Sequence, residues 1–310
     1  MAEDKNLFRL VELQEKESEK LEVEPYSYWK SVIKEFRKKP SAIVAVVLLA
    51  LLVLFSIFVP LLSPFDPYAT TVTDRETLKQ LPSLQHWFGT DAAGRDYFTY
   101  IWYGARKSLT IAAIAAVINI FNGVLLGVIW GYFRKIDILL LEIYNFITNI
   151  PMMLLHMLIL YVLGTLGTPP EFNLIFALTI TGWVHLARFI RNQIIIYNNR
   201  EYNIASRTLG TPASRIITHN LLPYVLPVIV TQISFEVPAL VGAEVGLSYF
   251  GLGLRSDQIS LGRIISLARN NFVAHPHLMI FPAVVTGALT ILFYLIGLSL
   301  SDALDPKTHR

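Results

Sequence analysis

The chain has 310 residues, 54% of them hydrophobic and 16% charged, with a formal net charge of +3 and no cysteine. Soluble domains are about 25% charged, and residues 1 to 39 hold 18 of the charged side chains here, so the remainder is too apolar for water and belongs in lipid. The small net charge gives no support to nucleic-acid binding, and without thiols there is no disulfide framework, thiolate metal site or cysteine nucleophile.

In chain order, residues 1 to 25 are dense in charge and are expected to be disordered. From Tyr26 to Lys39 a different pattern begins. Trp29, Val32, Ile33 and Phe36 share one helical face while Lys30, Lys34, Arg37 and Lys38 cover the rest, which predicts an interfacial helix against the membrane surface. Residues 1–40 thus form a tail and interfacial helix. Ser41 to Leu62 carries no charge and makes the first span; it starts too far from the N-terminus, and is too long, for a signal peptide.

Residues 63–107 are rich in Asp, Thr, Tyr and Pro and too polar for lipid. Five further spans are expected within 108–310: Ser108 to Phe133, Ile136 to Leu163, Phe172 to Ile196, Leu221 to Leu247 and Leu278 to Ser301. The expected fold is therefore all-α, with six transmembrane helices, because lipid cannot satisfy free backbone groups. Lys30, Lys34, Arg37, Lys38 and Lys39 precede the first span, and Arg188, Arg191, Arg200, Arg207 and Arg215 flank the fourth connection. Both clusters favour the cytoplasmic side and put both termini there. Segment 63–107 is then extracytoplasmic.

The most informative connection is EYNIASRTLGTPASRIITHNLLP, Glu201 to Pro223. Asn203 to Leu209 reads as a short helix that Gly210 ends in the left-handed conformation. Thr211 is then a suitable N-cap and Pro212 a suitable first residue of a second helix reaching about Asn220. Ala213, Ile216, Ile217 and Asn220 fall on one face of it; Ser214, Arg215 and Thr218 lie towards the other. A capped amphipathic helix at a membrane surface suits another protein's groove, or is simply a structured loop.

These residues resemble the "EAA" loop of ATP-binding-cassette importer permeases of the oligopeptide, dipeptide and nickel type. Tyr202, Ala205, Arg207, Leu209, Gly210, Arg215, Ile216, Ile217, Leu222 and Pro223 are in register with that pattern. Asn220 stands where the family has His, with His219 one residue earlier. HWFGTDAAGRDYFTYIWYGARKSL (His86 to Leu109), EVGLSYFGLGL (Glu244 to Leu254) and LSDALDPK (Leu300 to Lys307) resemble further blocks of the second ("C") permease subunit, in order.

The resemblance implies a type I ABC importer permease fold, in which loop 197–220 is a coupling loop received by a partner ATPase. Ala205, Arg207, Leu209, Gly210, Thr211, Pro212, Arg215, Ile216, His219 and Asn220 would form that docking element, with membrane anchoring as the other role open to Arg207 and Arg215. It also implies a homologous permease subunit, two ATPase subunits that hydrolyse ATP with Mg, an extracytoplasmic substrate-binding protein and a peptide cargo. Dipeptides or nickel chelates are the alternative cargo. No Walker A sequence occurs, so no phosphate loop is expected here, and no catalytic residue or cofactor is assigned.

Charged groups inside spans cost about 3 kcal/mol at a helix centre and each needs a reason. Glu236 and Glu244 on the fifth span could line a polar pathway or bond between helices. Pro238 should bend or interrupt that span. Asn119, Asn122, Asn145, Asn149, His156 and His185 are expected to bond between helices, and Asp91 to cap the helix after the outer segment. His275 and His277 lack the further ligands of a metal site. A solitary proton-coupled carrier would show interrupted half-repeats, and a membrane hydrolase would carry a nucleophile–base or HExxH motif. Neither signature is present.

Overall fold

The computed structural model describes residues 28–68, 78–254 and 258–304. The expected disorder of 1–25, the start of the interfacial helix at Tyr26 and the Asp305–Lys307 end of the last motif lie outside them.

Helix α1 spans Tyr28–Arg37 and α2 Pro40–Leu62. Pro40 opens α2 because the first helical N–H has no partner to lose. Asp96 then caps α3, Tyr97–Tyr132, by accepting from the Thr99 N–H at 2.9 Å. The helix thus begins ahead of the expected span start at Ser108: α3 has 36 residues, about 54 Å at 1.5 Å per residue, and outreaches the roughly 30 Å hydrocarbon core. The cap also corrects the role of Asp91. Its Oδ1 accepts from the Ala93 and Arg95 N–H groups at 2.8 and 2.9 Å, and its Oδ2 from Arg95 Nε at 2.8 Å, so Asp91 closes the preceding turn and leaves capping to Asp96.

The third span is not one helix. Helices α4, Asp137–Thr148, and α5, Met152–Thr165, meet at 83°. Pro151 accounts for the break, since it lacks an N–H and disfavours helical backbone in the residue before it. Helix α6 follows over Pro170–Asn198, then the short α7, Glu201–Thr208, and α8, Ala213–Arg215. A π-helical turn, Ile216–Leu221, feeds α9, Leu222–Tyr249. Pro238 does not interrupt α9, which continues eleven residues past it. Helices α10, Leu261–Ala268, and α11, His277–Leu304, complete the chain. Among the described residues five helices are long and apolar enough to cross a membrane, six spans if the bent α4–α5 pair counts as one.

The closest helix pairing is α3 on α6. Gly123, Gly127 and Gly131 lie four apart and so share one face of α3. A Cβ added at Gly127 would stand 2.6 Å from the Ala187 carbonyl, and one at Gly131 2.8 Å from that of Arg191. Small residues at this spacing let backbones approach, as membrane helices require where lipid offers no hydrophobic drive. At one end of the pair Arg191 grips Asp137, Nε to Oδ1 at 2.8 Å and the second nitrogen to Oδ2 at 2.6 Å, while Trp130 Nε1 donates to Asp137 Oδ1 at 2.8 Å. That carboxylate pins the start of α4 to α3 and α6. At the other end Lys107 bonds Glu171, tying α3 to the beginning of α6.

Candidate functional site

Beyond Asn198 the chain leaves the bundle and returns at Leu222. Glu201–Thr208 forms one helix, α7, whose end is closed by two backbone bonds, Gly210 N–H to the Arg207 carbonyl at 3.0 Å and Thr211 N–H to the Ser206 carbonyl at 3.0 Å. That six-to-one, five-to-two pair requires a left-handed residue between its strands of chain, and Gly210 supplies it with φ of 81°. The start of the second helix differs from the expected one. Thr211 is not the cap: Pro212, extended at ψ of 148°, holds that place, and its carbonyl accepts from the Arg215 and Ile216 N–H groups at 3.1 and 3.2 Å. Nor does the α-helix run to Asn220, because it widens into the π turn after Arg215.

The loop is anchored by Ile216 and Leu221, both fully buried with Ile190, Ile194, Val225 and Ile229. A second attachment is polar. Asn203 is fully buried on α7; its Nδ2 donates to the Tyr197 carbonyl at 2.9 Å, and its Oδ1 accepts from Asn220 Nδ2 at 2.9 Å. Arg207 donates to the Asn198 carbonyl at 3.0 Å, so its guanidinium braces the loop from outside.

Of the ten residues expected to form the docking element, Ala205, Arg207, Leu209, Gly210, Pro212, Arg215 and His219 are exposed and Thr211 is half-buried. Leu209 is 85% exposed at the tip. Ile216 and Asn220 face inward. Ile216 therefore roots the loop and adds nothing to its exposed surface, unlike most of the residues expected beside it in the docking set. Nothing in the expected motif drew attention to Asn203. The available signal was a polar residue at the third position of α7, seventeen residues before Asn220.

The two acids of α9 have separate surroundings. Glu236 is half-buried, and its Oε1 accepts from Asn119 Nδ2 at 2.9 Å. Asn119 itself is fully buried and fills the space beside Gly182, where a Cβ would stand 2.2 Å from its amide nitrogen. Glu244 has no exposure and lines no open pathway in this structure. Ser108 Oγ donates to its Oε2 at 2.8 Å, while Ser248 and Ser260 donate to Oε1 at 2.9 and 2.7 Å. Ser108 also accepts from the Leu261 N–H at 3.0 Å and Ser260 from the Arg263 N–H at 3.1 Å. Each of these two hydroxyls thus accepts from a backbone N–H and donates to the Glu244 side chain. Glu244 thereby ties α9 to α3 and to the start of α10. Ser108 and Ser248 stand in the blocks His86–Leu109 and Glu244–Leu254, but their convergence with Ser260 on one carboxyl is set by the fold and not by either block. Among the described residues no cluster of three metal-ligating side chains occurs.

A bundle of apolar helices with a capped loop projecting between α6 and α9 is the architecture of a polytopic membrane protein. The family profile described as "Binding-protein-dependent transport system inner membrane component" matches residues 123–310, and that of the "N-terminal TM domain of oligopeptide transport permease C" matches 27–82. The chain belongs to the family of binding-protein-dependent transport system inner membrane components. It is 40% identical over 308 residues to the oligopeptide transport system permease protein AmiD of Streptococcus pneumoniae, covering 99% of both chains. To the oligopeptide transport system permease protein OppC of Bacillus subtilis it is 33% identical, over 99% of this chain and 98% of the other. To the dipeptide transport system permease protein DppC of the same organism it is 35% identical, over 98% and 93%.

Among solved structures, the inward-facing MetNI methionine ABC transporter superposes with a TM-score of 0.55 at 21% identity, covering 66% of this chain and 96% of that one. The fold is that of a type I ABC importer permease, in a multi-span membrane protein.

Proposed function

We propose that this chain is the second permease subunit of an ATP-driven importer that moves oligopeptides across the cytoplasmic membrane, with both termini on the cytoplasmic side. In this reading it works beside a homologous permease, two ATPase subunits that bind and hydrolyse ATP with Mg, and an extracytoplasmic binding protein that delivers the peptide over segment 63–107. The chain itself performs no covalent step. Its task is mechanical: loop 197–220 sits in a cleft of one ATPase and carries that subunit's movement into α6 and α9.

The observation that carries this reading is Leu209, a large apolar side chain 85% exposed at the tip of a loop fixed by Gly210, Asn203 and Ile216. Full burial of a leucine is worth about 1.5–3 kcal/mol, and a rigid support spares a partner the cost of ordering it. Arg207 and Arg215 flank it as polar contacts. The oligopeptide cargo follows the similarity to AmiD and OppC. The similarity to a dipeptide permease makes peptide length the property to measure.

The test is reconstitution of the chain with its permease and ATPase partners in liposomes, with the binding protein and labelled peptides of two to eight residues. ATP-dependent uptake of the longer peptides, and a cross-link from a cysteine at position 209 to an ATPase subunit, are expected. Peptide transport by the chain alone down a proton gradient, or failure of position 209 to cross-link in an active complex, overturns the reading.

A further inference from the structure

The geometry points to a binding site for anionic phospholipid headgroups on α1. It rests on three sectors of that helix. The first faces protein: Val32 is buried with Ala303 and Leu304 at the end of α11, and Tyr28 Oη donates to the Leu304 carbonyl at 2.9 Å. Lys39, just past the helix, bonds Asp302 of α11. These contacts hold α1 on both sides of its length and fix its rotation.

The second sector is apolar and faces away from protein, with Trp29 43% and Ile33 54% exposed. At 100° per residue these two lie about 40° apart. The third sector, adjoining the second, carries Lys34, Arg37 and Lys38, all exposed. Lys38 also reaches Glu35 at 2.6 Å, with more than half of its side chain still open to solvent.

The level of the helix in the membrane is set by its neighbour. Helix α2 begins at Pro40, three residues after α1 ends, and its 23 residues carry no charge. A span of that composition starts where the hydrocarbon starts, so α1 lies at the headgroup boundary. There the Trp29–Ile33 sector enters the acyl region and the cationic sector meets phosphate oxygens, which basic residues beside a span attract when the lipid carries net negative charge. A zwitterionic headgroup offers the same phosphate with its charge cancelled. The locked rotation keeps the cations facing the leaflet, and headgroup charge should therefore change occupancy. The inference concerns binding by the chain's own helix and does not depend on which cargo, if any, is transported.

The test uses the full-length chain in lipid nanodiscs containing a fixed fraction of brominated lipid, either phosphatidylglycerol or phosphatidylcholine. Bromine quenches nearby tryptophan, and subtraction of the W29F signal isolates Trp29. Quenching at equal lipid fraction should be several-fold stronger for brominated phosphatidylglycerol. The triple variant K34Q/R37Q/K38Q should quench equally with both lipids, and the K34R/K38R variant, with Arg37 kept, should retain the preference. Equal quenching by both lipids in the wild type overturns the proposal and leaves α1 an apolar anchor. Absence of Trp29 quenching by either lipid overturns it too, by showing that protein covers that sector. A preference that survives the triple glutamine change assigns the selectivity to other residues and also refutes the site.

Discussion

Asn220 Nδ2 donates to Asn203 Oδ1 at 2.9 Å across seventeen positions of the chain. This one bond closes the projecting loop on itself, because Asn203 is on α7 and Asn220 is in the π turn that leads into α9. Asn220 thus has a defined task here.

Replacing Asn203 by alanine removes the bridge and leaves the Tyr197 carbonyl and the Asn220 amide without their partner. A buried polar group stripped of its hydrogen bond costs about 1–3 kcal/mol. The expected outcome is faster amide exchange over residues 201–221, with protection in α3 and α6 unchanged. Asn220→Ala should act on the same bond, so a double-mutant cycle should give a coupling near 1 kcal/mol. Strictly additive effects would show that the two asparagines do not act together.

Gly210 has no neighbour within 4 Å of an added Cβ, so its substitution probes backbone strain without a steric clash. Its φ of 81° costs an L residue roughly 1–2 kcal/mol. Loop stability should fall in the order Gly, Asn, Ala, Val, as measured by the rate of limited proteolysis between Arg207 and Arg215. In the assembled importer the valine variant should hydrolyse ATP with less transport per ATP consumed. Unchanged coupling in a valine variant whose loop is demonstrably loosened would remove the mechanical role of the bend.

Glu244→Gln should destabilise the chain, though less than Glu244→Ala. A glutamine carbonyl can still accept from Ser248 and Ser260, which share Oε1, but Ser108 donates to Oε2, where glutamine places a donor. The Ser108 proton then lacks that acceptor. A buried polar group stripped of its partner costs about 1–3 kcal/mol, read as a lowered thermal midpoint in detergent. A glutamine variant with the wild-type midpoint would contradict this account of the cage.

The glycine face of α3 separates from ordinary helix glycines by experiment. Gly127→Leu places bulk against the Ala187 backbone, whereas Gly242→Ala adds a methyl to open space. The first should cost well over the 1–3 kcal/mol typical of overpacking and lower the yield of folded protein. The second should be neutral or slightly stabilising through helix propensity. Detergent-solubilised yield and thermal midpoint of the two variants, measured side by side, decide the matter.

The span positions were legible because a membrane helix advertises itself by uninterrupted apolarity, as in α2. The left-handed Gly210 was legible too, since few residues tolerate that conformation. Other features were hidden for physical reasons. The first turns of α3, before Ser108, are polar enough to leave the bilayer, so hydropathy marks the span only from Ser108. The break at Pro151 was disguised by apolar residues on both sides. Ile216 fell in a docking motif and proved to be an anchor, because sequence register does not reveal which face of a short helix meets its own bundle. The serine cage of Glu244 depends on contacts between distant segments, which no local pattern encodes. The spacing of Gly123, Gly127 and Gly131, by contrast, was there to be used and points directly at the α3–α6 contact.

Helix α2 fully buries only Ala42, Ala45 and Ser56, with Leu49, Leu52 and Val59 partly buried against the core, and leaves most of its circumference open. Its attachment to the remaining helices runs through these six side chains and the edge contact of Phe55 with Trp102 at 5.3 Å. A mooring of that kind holds the vessel without dictating its hull: an apolar exchange on the open face of α2 should leave the interlocking of α3, α6 and α9 intact, whereas bulk at Ala42, Ala45 or Ser56 should push the helix away.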